Sequence, residues 1–460
     1  MNNVKLYYGV KDKPGLWKTL VFAFQQVLAI LAATIAVPSI IGNGMSQSAA
    51  LFGAGVGTIV YLLFTKFKSP VFLGSSFAFL PSMGAAFSGA ISVSVGYLGL
   101  LIGAIMAGLV YVIIALVVKY AGVNWIDKLM PASIIGPTVA IIGLSLSTNA
   151  VGDAVKGAAF DAVNKAWVMN TSSIVSLICA LVTLITVIVC SVYGKKMMKM
   201  IPFILGILAG YLLATIFTII GSVANVPELV VINFSLFSNM QWVPEFTFIE
   251  AFKGFENLGQ FGAYLVALAA AYIPIAFVVF AEHLADHKNI SSIIGEDLTK
   301  NPGLHRTLLG DGVGSMVGAF FGGCPNTTYG ESVGCVAISG NASVVTILTA
   351  AIICIVSAFF APFVTFLATI PSCVMGGVCI SLYGFIAVSG LKMIQKVDLN
   401  KNRNLFTVSV ILITGVGGMS LTFGIIPLKA VAVALILGII VNAITARSEK
   451  KAEAKEDKAE

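Results

Sequence analysis

Residues 325–340 read Pro325-Asn-Thr-Thr-Tyr-Gly-Glu331-Ser-Val-Gly-Cys-Val-Ala-Ile-Ser-Gly340. Residues 74–89 read Gly74-Ser-Ser-Phe-Ala-Phe-Leu-Pro-Ser-Met-Gly-Ala-Ala-Phe-Ser-Gly89. Both lie in long apolar surroundings, both are crowded with small and polar residues, and they close on Ala-Ile-Ser-Gly and Ala-Phe-Ser-Gly. Neither makes a good lipid-facing helix. Bare backbone at membrane depth is tolerated only where it is buried in protein or lines a wet cavity. Two such breaks in matching positions predict a pair of interrupted spans, the sequence pointer to a secondary carrier with its site at the midplane.

The rest of the chain supplies the membrane setting. Of 460 residues, 58% are hydrophobic and 10% charged, and mean hydropathy is +0.99. A soluble protein carries about 25% charged residues, so several soluble domains are excluded. The 46 glycines suit helices that approach closely in a bilayer. Seven cysteines lie in apolar stretches without a CxxC and read as small hydrophobic filler. Disorder, collagen, nucleic-acid binding and a secreted disulfide scaffold fit poorly. Lys5, Lys11, Lys13 and Lys18 precede a retained first span, which reads as a cytoplasmic tail and not as a cleaved signal.

A span needs about 20 mostly apolar residues. Fourteen stretches qualify: 19–41, 46–65, 70–88, 93–118, 129–149, 172–194, 199–222, 261–284, 304–322, 324–340, 342–361, 363–390, 404–421 and 425–445. With the N-terminus inside, 23 of the 27 basic residues fall in inner loops and tails, Lys66, Lys68, Lys119, Lys128, Lys195, Lys196 and Lys288 among them. That asymmetry predicts a multi-pass protein of the cell (inner or plasma) membrane with both termini cytoplasmic. The outer loop near 223–258 is acidic, with Glu228, Glu245, Glu250 and Glu256, and has room for a short surface helix.

Pro131-Ala-Ser-Ile-Ile-Gly-Pro137 in the fifth stretch resembles Pro371-Ser-Cys-Val-Met-Gly-Gly377 in the twelfth, and the third resembles the tenth. Both offsets are seven spans. Seven is odd, so the halves must be inverted. The expected architecture is an all-α polytopic membrane protein of fourteen segments in a 7+7 inverted repeat. Its divisions are a tail at 1–18, a first repeat at 19–222, an outer loop at 223–260, a second repeat at 261–445 and a charged tail at 446–460.

The acidic residues inside these stretches are Glu282, Asp286, Asp311 and Glu331. Intramembrane carboxylates are costly and mark substrate or proton pathways, or polar pairs that tie helices together. Glu282 and Asp286 are four apart and share a helix face. Glu331 follows directly on the break at 325–330. Carboxyls gathered on one cavity can hold a proton near neutral pH, as a proton-coupled carrier needs. Asp311 lies among Gly310, Gly312 and Gly314, a small-residue face that can pack within the chain or between two copies in a homodimer. The Glu282-His-x-x-Asp-His287 order is not a zinc-protease pattern, and no metal or other cofactor is expected. His283 points to a different face from Glu282, and His287 and His305 read as cytoplasmic-edge residues. No GxxxxGK[ST] occurs, so no ATP site is visible, and with no metal cluster or nucleophile–base pair evident the chain does not read as an enzyme.

Five blocks carry a family resemblance: Gly74-Ser-Ser-Phe-Ala-Phe79, Ala281-Glu-His283, Asn301-Pro-Gly-Leu-His-Arg306, Pro325-Asn-Thr-Thr-Tyr-Gly-Glu331 and Val374-Met-Gly-Gly-Val378. From about residue 15 to 445 the chain resembles the nucleobase–ascorbate (nucleobase:cation symporter-2) family, and within it the bacterial uracil permeases. The resemblance implies core and gate domains interleaved across both repeats, a short antiparallel strand in each broken span, and proton-coupled uptake of uracil by alternating access. It implies Glu282 and Glu331 as substrate carboxylates and the backbone amides of Phe77 and Gly330 as contacts. Phe77, Tyr329 and Ala33 would wall the pocket, and Tyr383 would place a hydroxyl near the second carboxylate. Uracil offers two N–H donors, two carbonyl acceptors and a flat face, which carboxylates, backbone N–H groups and an aromatic ring can meet. Three positions depart from the family pattern: Asp286 where the compared uracil permease has His, Ser332-Val-Gly334 for Asn-x-Gly, and Gln25-Gln26 for Gln-His. The alternatives are a xanthine, purine or other nucleobase permease, or an anion carrier on the same fold, which paired carboxylates suit badly.

Overall fold

The computed structural model describes residues 6–122, 125, 130–195, 198–199, 201–256, 261–423 and 426–456. Lys5, Lys128, Lys196 and Lys458, counted above among the inner charges, lie outside the described residues. In chain order the helices are α1 (Leu16–Ile41), α2 (Gln47–Phe64), α3 (Leu80–Ser88), α4 (Val93–Ala121), α5 (Ala132–Ser145), α6 (Ser147–Ala154), α7 (Thr171–Tyr193), α8 (Pro202–Ala224), α9 (Thr247–Lys253), α10 (Phe261–Ile294), α11 (Leu304–Gly322), α12 (Gly330–Ser339), α13 (Val344–Ser357), α14 (Ala361–Thr369), α15 (Ser372–Ile394), α16 (Asn402–Val416) and α17 (Ala430–Glu456). Three two-stranded antiparallel sheets accompany them: β1 (Leu73–Ser75) with β4 (Asn326–Thr328), β2 (Ala159–Asp161) with β3 (Ala166–Val168), and β5 (Leu421–Phe423) with β6 (Ile426–Leu428).

Among the described residues, eight helices, α5 and α6 counted as one, are long and apolar enough to cross a membrane, or nine if the bent pair α13 and α14 is one span. Three of the other apolar stretches are shorter in the structure, α3 and α12 with nine and ten residues and α16 with fifteen, whereas α11 keeps its nineteen. The stretch at 363–390 is not one helix. It divides at Ile370–Pro371 into α14 and α15, and α14 is bent 83° from α13. Proline disfavours helical backbone in the residue before it, and Ile370 adopts extended angles (ψ 118°). The final tail is helical through Glu456.

Helix packing separates two groups. One gathers α1, α2, α4, α10, α11 and α13; the other gathers α5, α7, α8, α15, α16 and α17. Glycine sets the spacing inside each. A Cβ on Gly57 would meet Asn326 Nδ2 at 2.5 Å and Gly314 O at 2.8 Å, and one on Gly312 would meet Tyr111 Cβ at 2.6 Å. Gly143 and Gly390 hold α5 and α15 equally close. The small-residue face at Gly310–Gly318 is therefore filled from within the chain by α2, α4 and Asn326. On the loop side, α9 occupies the acidic 223–258 segment. Lys253 and Ser94 both bond Glu250, at 2.7 and 2.5 Å, and hold its carboxyl below the usual carboxylate range.

Candidate functional site

The site forms where two chains of helix are broken. α11 ends at Gly323 in the left-handed region (φ 73°), a conformation glycine adopts without strain. Pro325 then blocks continuation, and the β-branched Thr327 and Thr328 run as strand β4. β4 pairs with β1 in the register Leu73↔Thr328, Gly74↔Thr327 and Ser75↔Asn326. The pairing extends past the strands: Ser76 N–H donates to Pro325 O (2.9 Å) and Tyr329 N–H to Phe72 O (3.2 Å). Phe72 N–H donates to Ser332 Oγ (3.1 Å), and Leu73 N–H to Thr58 Oγ1 (3.0 Å). Buried backbone polar groups in this irregular stretch thus find partners. Ser332, one of the departures noted above, ties α12 to the strand before α3.

Each strand is followed by a helix start. A single 3-10 turn, Phe77–Phe79, opens α3, and Gly330 opens α12; no side chain caps either start. First-turn N–H groups have no intrahelical partner, so both ends present free donors and the positive end of a helix dipole. Glu331 lies in the first turn of α12, where a carboxylate is favoured.

A cavity of about 490 Å³ opens against these starts. Glu282, Asp286 and Asn289 line it from one face of α10, at i, i+4 and i+7; Phe77, Tyr329, Gly330 and Glu331 line it from the breaks. Thr328 Oγ1 donates to Asp286 Oδ2 (2.9 Å), joining β4 to α10. Tyr329 Oη donates to Ser75 O (2.6 Å) with its ring against Gly74, where a Cβ would come within 2.5 Å of the ring. At the far end Lys199, Phe203, Ser389 and Met393 border the same space. The arrangement can accept hydrogen bonds through carboxylates, donate them through backbone N–H groups, and offer aromatic faces.

Six of the nine residues singled out in the sequence therefore meet at one cavity: Glu282, Asp286, Glu331, Phe77, Tyr329 and Gly330. Three do not line it. Ala33 is buried inside α1, and Ala29, one turn earlier, faces the cavity instead. Tyr383 packs its ring edge-on to Phe77 with centroids 5.6 Å apart. Asp311 lies behind α10, its Oδ2 2.7 Å from His283 Nδ1, while His283 Nε2 is 3.0 Å from Thr307 Oγ1. His287 is fully buried within the protein, with Nδ1–H donating to His283 O (2.8 Å) and Nε2 2.7 Å from Tyr61 Oη. One face of α10 thus carries acids toward the cavity and the adjacent face carries histidines toward α2 and α11. His305 stands half-buried at the start of α11. Among the described residues, no group of three or more His, Cys, Asp or Glu is placed to hold a metal ion.

Sequence reasoning missed Asn289 and the bond from Thr328. The spacing of Asn289 seven residues after Glu282 could have placed it; nothing local signals the Thr328 contact, which depends on the β1–β4 pairing.

The family model Xan_ur_permease, described as a permease family, matches residues 17–423. The chain belongs to this family, the nucleobase:cation symporter-2 permeases. It is a permease, not an enzyme. Among curated relatives, the permease is 35% identical over 457 residues to the uracil permease of Bacillus subtilis strain 168, covering 98% of each chain. It is 35% identical over 452 residues to that of Bacillus caldolyticus, covering 96% of each. It is 34% identical over 434 residues to that of Escherichia coli K12, covering 94% of this chain and 92% of the relative. Among solved structures, the transmembrane domain of the cyanobacterial bicarbonate transporter BicA matches with a TM-score of 0.61 at 17% identity, over 94% of this chain and 97% of that one. Murine Slc26a9, an anion transporter in its inward-facing state, matches at 0.64 and 13% identity, over 95% and 69%. At these identities the structural neighbours speak to the fold alone.

Proposed function

We propose that this permease imports uracil, coupled to protons, by alternating access. The observation that carries the reading is the cavity at the β1–β4 breaks, where Glu282 and Glu331 face one space beside the helix starts at Phe77 and Gly330. The two carboxylates accept from the ring N–H groups, and the backbone amides of Phe77 and Gly330 donate to the ring carbonyls. Phe77 and Tyr329 supply aromatic surface. A base with the wrong edge leaves these groups unpaired, so the site discriminates. Asp286, held by Thr328, stands one turn from Glu282, and the three cavity carboxyls are the candidates to carry the coupled proton. Asp311 supports α10 from behind. The near full-length similarity to curated uracil permeases supports the choice of substrate. An anion would meet these same carboxylates as like charges, which counts against an anion carrier.

The architecture proposed with this function has fourteen segments in two inverted repeats, 19–222 and 261–445, with both termini cytoplasmic and the 223–260 loop outside. Supporting it, segments seven apart meet across the molecule: α2 with α11, β1 with β4, and α5 with α15. The two helix groups then correspond to core and gate, and the cavity, bordered by Lys199 and Met393, opens inward. Equilibrium binding of labelled uracil to the purified permease tests the substrate assignment: competition by unlabelled uracil and not by xanthine is expected, and binding of xanthine in preference to uracil would overturn it.

A further inference from the structure

A second pocket, of about 400 Å³, lies on the far side of the site from Lys199. It is bordered by Leu80, Pro81 and Gly84 of α3, by Ser145, Leu146 and Asn149 along α5 and α6, and by Ile40 and Ile41 at the end of α1. The 490 Å³ cavity uses the neighbouring residues of the same elements: Phe77 and Ala78 before α3, Val139 and Ile142 on α5, Ala29 on α1. Along α5 the two spaces are separated only by the step from Ile142 to Ser145. At 1.5 Å per residue that is about 4.5 Å, less than one helical turn. On the α3 side the step is from Ala78 to Leu80.

What fills the partition is apolar and tightly buried. Phe77 and Leu80 approach from the broken segment, and Ile142, Leu146 and Tyr383 from α5, the junction of α5 with α6, and α15. All five are under 9% exposed and belong to one continuous core cluster. The Phe77 and Tyr383 rings meet edge to face. The two halves of the partition come from different helix groups, so a sliding of one group against the other by about one turn would part them.

We infer that Phe77, Leu80, Ile142, Leu146 and Tyr383 form the outer seal of the permease, one helical turn thick, and that the second pocket is the vestibule from which substrate reaches the site when that seal parts. The inference rests on the proposed function and gives Tyr383 a role in closure, not in contact with substrate. Leu80 and Leu146 both border the vestibule, so fixing them together holds the seal shut.

The test is a Leu80→Cys/Leu146→Cys pair, with Leu80→Cys/Ser145→Cys as a second pair, in a background whose seven native cysteines are replaced and which still takes up labelled uracil. A short bismaleimide is applied, and uptake in proteoliposomes and uracil binding to the detergent-purified protein are read on the same samples. The seal predicts cross-linking of at least one pair, a fall in uptake of about tenfold or more, and unchanged binding through the inward cavity. Cross-linked protein that still transports, cross-linking that abolishes binding as well, or failure of both pairs to cross-link overturns the seal. If the permease with its native cysteines neither binds nor moves uracil, the substrate assignment has failed, and that outcome is visible before any cysteine pair is made.

Discussion

Thr328 of β4 donates a 2.9 Å hydrogen bond to Asp286 of α10, four residues after Glu282. This bond links the broken segment that carries Glu331 to the helix that carries the other cavity carboxylates. Thr328→Val keeps the shape and removes the donor. An intramolecular hydrogen bond contributes roughly 0.5–1.5 kcal/mol net, so thermal stability is expected to fall by about that much and uracil affinity to weaken as Asp286 loses its anchor. Binding titration on the purified variant checks this; unchanged affinity would show that Asp286 needs no anchor.

Glu282 and Glu331 face the cavity from α10 and α12. Glu282→Gln and Glu331→Gln each replace a charged acceptor by a neutral one of the same size. Each is expected to weaken uracil binding by roughly 1.5–3 kcal/mol while leaving expression and thermal unfolding near wild type. A variant that folds and binds uracil as wild type would remove that residue from the site.

Gly74 faces the Tyr329 ring with no room for a side chain. Gly74→Ala must displace the ring and its bond to Ser75 O. Overpacking of this kind costs roughly 1–3 kcal/mol, so a lowered melting temperature together with weaker uracil binding is expected. Gly84, whose Cβ would meet open space, is the control: Gly84→Ala should leave both unchanged.

Asp311 and His283 are paired at 2.7 Å and almost fully buried. Asp311→Ala leaves His283 with one ring nitrogen unpartnered in the interior. Leaving a buried hydrogen-bonding group unsatisfied costs roughly 1–3 kcal/mol, so this variant should lose thermal stability more than any cavity carboxylate variant does. Differential scanning fluorimetry in detergent compares them; equal stability of Asp311→Ala and wild type would contradict the packing role.

Much of this site was legible in the sequence because its chemistry is exceptional for a membrane. Glu282, Asp286 and Glu331 stand out against apolar neighbours, and Pro325-Asn-Thr-Thr-Tyr-Gly cannot be read as a lipid-facing helix. Periodicity placed Glu282 and Asp286 on one face. It could not say that Tyr383 turns toward Phe77, or that Ala29 faces the cavity where Ala33 does not, because those facts depend on helix rotation set by distant packing. The burial of His287 was out of reach for a related reason, since it depends on Tyr61 and the His283 carbonyl being brought beside it. The division at Ile370–Pro371 was hidden by continuous hydrophobicity, which does not report a break in a helix.

Uptake of labelled uracil at pH 6 and pH 8, in cells lacking their own uracil permease and with or without an uncoupler, tests the central claim most directly. Proton-coupled transport through Glu282 and Glu331 predicts faster uptake at pH 6, loss with the uncoupler, no effect of excess xanthine, and loss in Glu331→Gln. No uracil uptake by well-expressed protein, or uptake indifferent to both pH and uncoupler, would contradict it.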